Sequence, residues 1–177
     1  MRIGDAGEII YSPSDLTTFM ASPFASWLMR YRLEKGVDAI EPEPPSEDLM
    51  LVAQYGLDHE AAYLKTLKTK KRVVEIPEAK GNYNAAIAQT LEEMKKPDGA
   101  DVIFQGALAK TPFFGLSDFL VRVPGASNLG DWHYVAVDTK LAMHTKPYFI
   151  IQLCAYSEML ESVQGVLPKE MRVVLGN

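Results

Sequence analysis

The sequence predicts an α/β domain on a mixed central sheet: a helix, a three-stranded antiparallel meander, a helix and a strand in that order, with extra N-terminal helices on both sides. Three observations carry this prediction. The stretches "DVIFQGALA", "PFFGLSDFLVRV" and "WHYVAVDTKLA" follow one another with strand character and short connections, as in a meander. A helical segment from Lys146 to Gln164 then leads to "MRVVLG", so a crossover joins the meander to a final strand and the sheet is mixed. Lastly, both faces of "WHYVAVDTKL" are largely apolar, which marks a central strand covered on both sides.

Taken in order, "YSPSDL" opens the first helix, with Ser12 at the N-cap, Pro13 at the first helical position and Asp15 at the third, a variant of the capping box. The helix runs to Glu34, with a break expected at Ser22-Pro23, because proline disfavours helical geometry in the residue before it. Gly36 ends it, and the acidic, proline-rich "DAIEPEPPSED" is a surface connection. A second helix from Ser46 to Lys68 carries "GLDHEAAYLKTL". After it come a short strand, "RVVEI", and an amphipathic helix from Tyr83 to Lys96 closed by "KPDG". In the meander, Lys110-Thr111 reads as the first turn and "PGASNLGD" as the second loop.

A chain of 177 residues makes one domain with a substantial core. An apolar fraction of 47% with 23% charged residues excludes disordered and collagen-like classes. No apolar run approaches the ~18 residues of a membrane span, and the N-terminus lacks the apolar stretch of a signal peptide, so a cytoplasmic protein without a membrane partner is expected. Ending on a strand implies the N-terminal part of a longer protein. The single cysteine, Cys154, rules out an intrachain disulfide framework or a multi-cysteine metal site built by this chain alone. A net charge of −5 on its face argues against nucleic acid. Acids grouped around a cation would offset that reading, and the basic residues cluster: Lys65, Lys68, Lys70, Lys71 and Arg72, and again Arg30, Arg32 and Lys35. Each cluster is either a solvated face or a phosphate-tracking patch.

The chemistry concentrates in "AVDTKL". Asp138 and Lys140, two residues apart on an extended chain, point to one face of a strand that is otherwise apolar. In the preceding strand Asp118 shares a face with Leu116 and Leu120. Two carboxylates sharing a pocket of low dielectric repel, which raises one pKa or demands a cation, and hard oxygen ligands suit Mg²⁺ or Mn²⁺. On the following helix Gln152 and Tyr156 are four apart and share a face. Upstream, "GLDHE" offers both His59 and Glu60 from apolar stripes, and periodicity does not choose between them.

"GLDHE" on a helix, "GLSD" on a strand, "VDTK" on the next strand and "QLCAY" on the following helix resemble, in order and placement, the PD-(D/E)xK nuclease superfamily, specifically its RecB-like branch. The resemblance spans nearly the whole chain and implies a restriction-endonuclease-like core. It implies that Asp118, Asp138, the backbone carbonyl of Thr139 and His59 hold a Mg²⁺ or Mn²⁺ ion. Lys140 would orient or help deprotonate the attacking water and stabilise the transition state, and Gln152 and Tyr156 would position the lysine, the water or the nucleic-acid backbone. Some relatives add a four-cysteine iron-sulfur cluster. Here Ser22-Pro23 stands at its first position and no cysteine group follows the last helix, so no iron-sulfur cluster is expected. Packing by Phe19, Phe24, Trp27 and Leu28 would then fasten the N-terminal helices.

The function so implied is divalent-metal-dependent hydrolysis of phosphodiester bonds in DNA, by an exonuclease rather than an endonuclease, in repair or recombination. Its partners would be single-stranded DNA or duplex ends and a fused or associated helicase-like module. The alternative is a non-catalytic nuclease-fold module that binds nucleic acid or braces a partner domain. A metal-dependent phosphohydrolase of small substrates is the third reading.

Overall fold

The computed structural model describes residues 1–77 and 82–176. Two short strands open the chain, β1 (Arg2–Ile3) and β2 (Ile9–Ile10), paired antiparallel. Three helices follow: α1 (Pro13–Ala21), α2 (Pro23–Lys35) and α3 (Glu47–Lys68). The chain then alternates through β3 (Val73–Glu75), α4 (Tyr83–Lys95), β4 (Val102–Lys110), β5 (Phe113–Ser127), β6 (Gly130–Lys140), α5 (Pro147–Gln164) and β7 (Arg172–Leu175). The break between α1 and α2 falls at Ser22, whose hydroxyl accepts the Ala25 amide at 3.1 Å and so caps the second helix. Ser46 caps α3 in the same way through the Leu49 amide at 3.2 Å.

Strands β3 to β7 form one mixed sheet, side by side in sequence order. The meander β4-β5-β6 is antiparallel, and β3 and β7 lie parallel to β4 and β6 at the two edges. Each parallel pair is bridged by a helix, α4 or α5, because a parallel return needs a crossover. Alternation along the strands divides the core in two. Ile103, Leu120, Tyr134 and Ala136 meet Leu153, Tyr156, Met159 and Leu160 of α5 and Ala86 and Met94 of α4. On the opposite face Val102, Phe119, Val135 and Val137 are covered by Tyr63, Leu64 and Leu67 of α3. The expected α/β architecture with a mixed sheet and helices on both faces is therefore present.

The first turn of the meander is shifted by one residue from the one expected, and the second is tighter. Lys110 pairs with Phe113, so Thr111-Pro112, not Lys110-Thr111, makes the first turn and the proline falls where no ladder amide is needed. In the second, β5 and β6 stay paired through Pro124↔Trp132 and resume at Ser127↔Gly130 after a register shift, leaving Asn128-Leu129 at the tip instead of a long loop. Proline is tolerated at such an irregularity. The Ser127 hydroxyl fastens it by accepting the Leu129 amide at 3.0 Å and donating to the Trp132 carbonyl at 2.5 Å.

The N-terminal helices are not fastened by the aromatic residues expected to do it. Phe19, Phe24 and Trp27 are 53%, 67% and 55% exposed. Phe24 stacks on Trp27 with ring centroids 5.9 Å apart, and Tyr31 lies tilted against Trp27 at 5.3 Å. The reason is layering: α1 packs chiefly against α5 and more lightly against β5, so α2, beyond it, meets chiefly α1 and the short turn that follows. Arg30 Nη1 donates to the Tyr11 hydroxyl at 2.8 Å and ties α2 to the segment ahead of α1. Leu28 is half-buried.

Candidate active site

The β5–β6 ladder pairs Val121 with Val135, Leu120 with Ala136 and Phe119 with Val137. One step further, the same register sets Asp118 directly opposite Asp138. The pairing stops there: β5 continues along β4 and β6 along β7, so the two acids stand where the strands part. Directly opposed residues of an antiparallel pair hold their Cβ atoms about 4.5–5.5 Å apart. The freed Thr139 amide turns into the fork and donates to Asp118 Oδ2 at 3.2 Å.

Asp138 is only 2% exposed. Lys140 Nζ lies 2.7 Å from its Oδ2, yet this oxygen has no partner in hydrogen-bonding geometry among the described residues. The contact is ionic attraction without alignment, and the oxygen keeps a lone pair to offer. The ammonium group also lies 5.6 Å from the centre of the Phe149 ring on α5. Across the fork, burial raises the Asp118 carboxyl to about 8, aided by the hydrogen bond and charge of Asp138 and the charge of Glu60, and opposed by the Thr139 amide.

Helix α3 delivers a third acid. Tyr63 packs edge-on against Phe119 with centroids 5.1 Å apart, and Leu64 and Leu67 sink into the same core, which lays α3 across the sheet. One turn earlier His59 and Glu60 lean to opposite sides. His59 Nε2 is 3.4 Å from the Val174 carbonyl of β7, whereas Glu60 Oε1 is 3.4 Å from Gln105 Nε2 of β4. Burial raises the Glu60 carboxyl; the Gln105 hydrogen bond opposes this, the charge of Asp138 adds to it, and a hydrogen bond with Asp118 again opposes it. Glu60 is thus drawn into the aspartate pair, while His59 borders it on the β7 side.

On α5, the Tyr156 hydroxyl donates to the Leu116 carbonyl at 2.6 Å. Burial, then the charges of Asp118 and Asp138, hold its pKa well above the ordinary phenol value, and Gln152, one turn earlier, offsets part of the rise. Gly115 makes room for this ring. The structure therefore gathers Asp118, Asp138, Thr139, Lys140 and Tyr156 at the fork, with Gln152 beside Tyr156. Gln105 escaped the sequence reading; its one signal is an amide standing alone among apolar residues in "VIFQGALA".

The three carboxylates feel one another's charge, but among the described residues no three acidic, imidazole or thiol groups converge on a ready coordination point. The donor chemistry nevertheless fits a hard divalent cation: two opposed carboxylates, one held protonated by its surroundings, and a buried oxygen with no hydrogen bond. No helix among the described residues is long and apolar enough to cross a membrane. Compared with known proteins, the chain matches no family model, no curated protein and no solved structure.

Proposed function

We propose that the sheet is a restriction-endonuclease-like core and that the chain is a Mg²⁺- or Mn²⁺-dependent nuclease hydrolysing phosphodiester bonds in DNA, acting on single strands or duplex ends in repair or recombination. The observation that carries this reading is the placement of Asp118 opposite Asp138 at the strand fork, with the Lys140 ammonium 2.7 Å from Asp138. Asp118, Asp138 and the Thr139 carbonyl would hold the cation, with His59 or Glu60 added from α3. A bound divalent ion supplies acidified water and charge neutralisation at the phosphate.

The chain's own groups do the rest. Asp118 would hold the cation as its carboxylate, together with Asp138. Lys140, now beside Asp138, would orient the attacking water and meet the negative charge that develops on the phosphate. Tyr156, buried against the Leu116 carbonyl, would fix the floor of the fork from α5, with Gln152 beside it. The half-exposed Lys140 side chain, 26% accessible, keeps this face open to a substrate.

The test is cleavage of labelled single- and double-stranded DNA with Mg²⁺, Mn²⁺ or chelator, using the wild-type chain, Lys140→Ala and Asp118→Asn. Metal-dependent cutting that both substitutions abolish is expected. Cutting that survives both would remove the site assignment. A second reading, a non-catalytic module bracing a partner such as a helicase-like domain, draws on the exposed apolar residues of α2 and of the first turns of α3, among them Phe24, Trp27, Leu49 and Val52. DNA binding without cutting under any metal would favour it.

A further inference from the structure

Gln105 is the one non-glycine residue with positive φ among the described residues, at 54°. Side chains other than glycine, asparagine and aspartate rarely take this conformation, and such outliers gather where a site requires them. Its position is specific. Counting along the β4–β5 register, Phe104 faces Phe119 and Gly106 faces Ser117, so Gln105 stands opposite Asp118, and it is the one residue in that stretch left out of the ladder.

The left-handed turn changes where the side chain goes. Ile103 belongs to the core under α4 and α5. Uninterrupted alternation would send Gln105 to that same side. Instead Gly106 has taken it: a Cβ on Gly106 would lie 2.5 Å from Leu120 Cδ1 and 3.5 Å from Ile103 Cγ2. The Ala107 amide donates to the Thr90 hydroxyl of α4 at 2.9 Å, and Ala107 resumes the pairing opposite Leu116. Gln105 is thereby released to the α3 side, where its Nε2 donates to Glu60 Oε1 at 3.4 Å. Without this reversal the amide would face α5, and Glu60 would lose its contact with β4 and keep only its hydrogen bond with Asp118.

Resting on the metal-dependent reading above, we propose that Gln105 is a positioning residue whose left-handed backbone aims its carboxamide at α3 and holds the Glu60 carboxylate beside Asp118 and Asp138, making Glu60, and not His59, the helix-borne ligand of the ion. A residue that orients a ligand typically changes metal affinity by about 10- to 100-fold when it is removed.

The decisive variant is Gln105→Gly, since glycine adopts φ 54° without strain and removes the side chain that carries the carboxamide. Mn²⁺ binding is read by the electron paramagnetic resonance signal of free Mn²⁺ and by the metal-induced rise in melting temperature, neither of which requires turnover. The expected result is a melting temperature without metal that is unchanged or higher, with Mn²⁺ affinity about tenfold weaker. Glu60→Gln should weaken binding at least as much, the double variant should be no worse than Glu60→Gln alone, and His59→Ala should bind Mn²⁺ as the wild-type chain does. Unchanged Mn²⁺ affinity in Gln105→Gly, additive losses in the double variant, or a loss on His59→Ala that exceeds that of Glu60→Gln, overturns this inference while leaving the proposed function standing. Failure of the wild-type chain to bind Mn²⁺ overturns both.

Discussion

Gly115 and Tyr156 share a space that admits only one side chain. A Cβ on Gly115 would stand 2.9 Å from Tyr156 Cε1, 3.0 Å from its hydroxyl and 2.7 Å from Pro13 Cδ. The glycine three residues ahead of Asp118 thus serves close packing of α1 and α5 against β5, and through Tyr156 it sets the wall of the fork. Gly115→Ala is expected to destabilise the fold by about 1–3 kcal/mol through overpacking. Tyr156→Phe, which leaves the Leu116 carbonyl without its donor, should cost roughly 1 kcal/mol. Urea denaturation of each variant measures both.

Lys140 neutralises Asp138 as long as no cation is bound. Lys140→Ala leaves a nearly fully buried carboxylate without its counter-charge, and a loss of about 2 kcal/mol is expected for the metal-free protein, reduced from the fully buried case because the lysine is partly exposed. Added Mn²⁺ should return most of that stability, while DNA cleavage falls by about 10²-fold or more. Thermal melts with and without Mn²⁺, beside a cleavage assay, separate the two effects.

The Asp118 carboxyl gives the metal-free protein an inverted pH response. Its folded pKa of about 8 lies above the ordinary 3.8, so between those values the folded chain keeps a proton that the unfolded chain has lost. Stability relative to pH 4 therefore falls as pH rises through this window and levels off above about 8. Urea titrations in chelator at pH 5 and pH 8 should show a loss of a few kcal/mol at most across the interval. Asp118→Asn should flatten the profile and be the more stable protein at pH 8.

Cation binding and that proton exclude one another. At pH 6.5, well below the Asp118 value, Mn²⁺ uptake should release about one proton, and apparent affinity should climb with pH up to about 8. Calorimetry in buffers of different ionisation enthalpy counts the proton. A binding enthalpy independent of buffer would remove Asp118 from the ligand set.

Phe24 and Trp27 stack on each other at the surface, so Phe24→Ser and Trp27→Ser should each change stability by about 0.5 kcal/mol or less. Residues fastening α2 to a core would cost several times more when cut back. Denaturant midpoints distinguish the cases.

Several features were legible before any coordinates. Proline at position 23 after a capping serine broke the first helix where expected, because both residues act within one turn of the backbone. Asp118 and Asp138 stood out as acids in apolar strands, since alternation assigns each residue a face from its immediate neighbours. The turn at Asn128-Leu129 was not legible. It rests on the Ser127 hydroxyl bridging to Leu129 and Trp132, which exists only once the strands are paired.

The amino-acid order by itself determined the kinds of elements, their sequence along the chain and the sidedness of the acids, all of which follow from contacts between near neighbours. Tertiary structure decided that Asp118 would meet Asp138 across the fork, because a period of two specifies a face and leaves the register open. It also decided which way His59 and Glu60 each lean. Adjacent positions on a helix differ by about 100° in direction, and only the seat of Tyr63 and Leu64 on the sheet fixes which of them leans toward β4 and which toward β7. Gln105 was hidden for the same reason: its reversed side chain depends on one backbone dihedral that packing, not composition, selects.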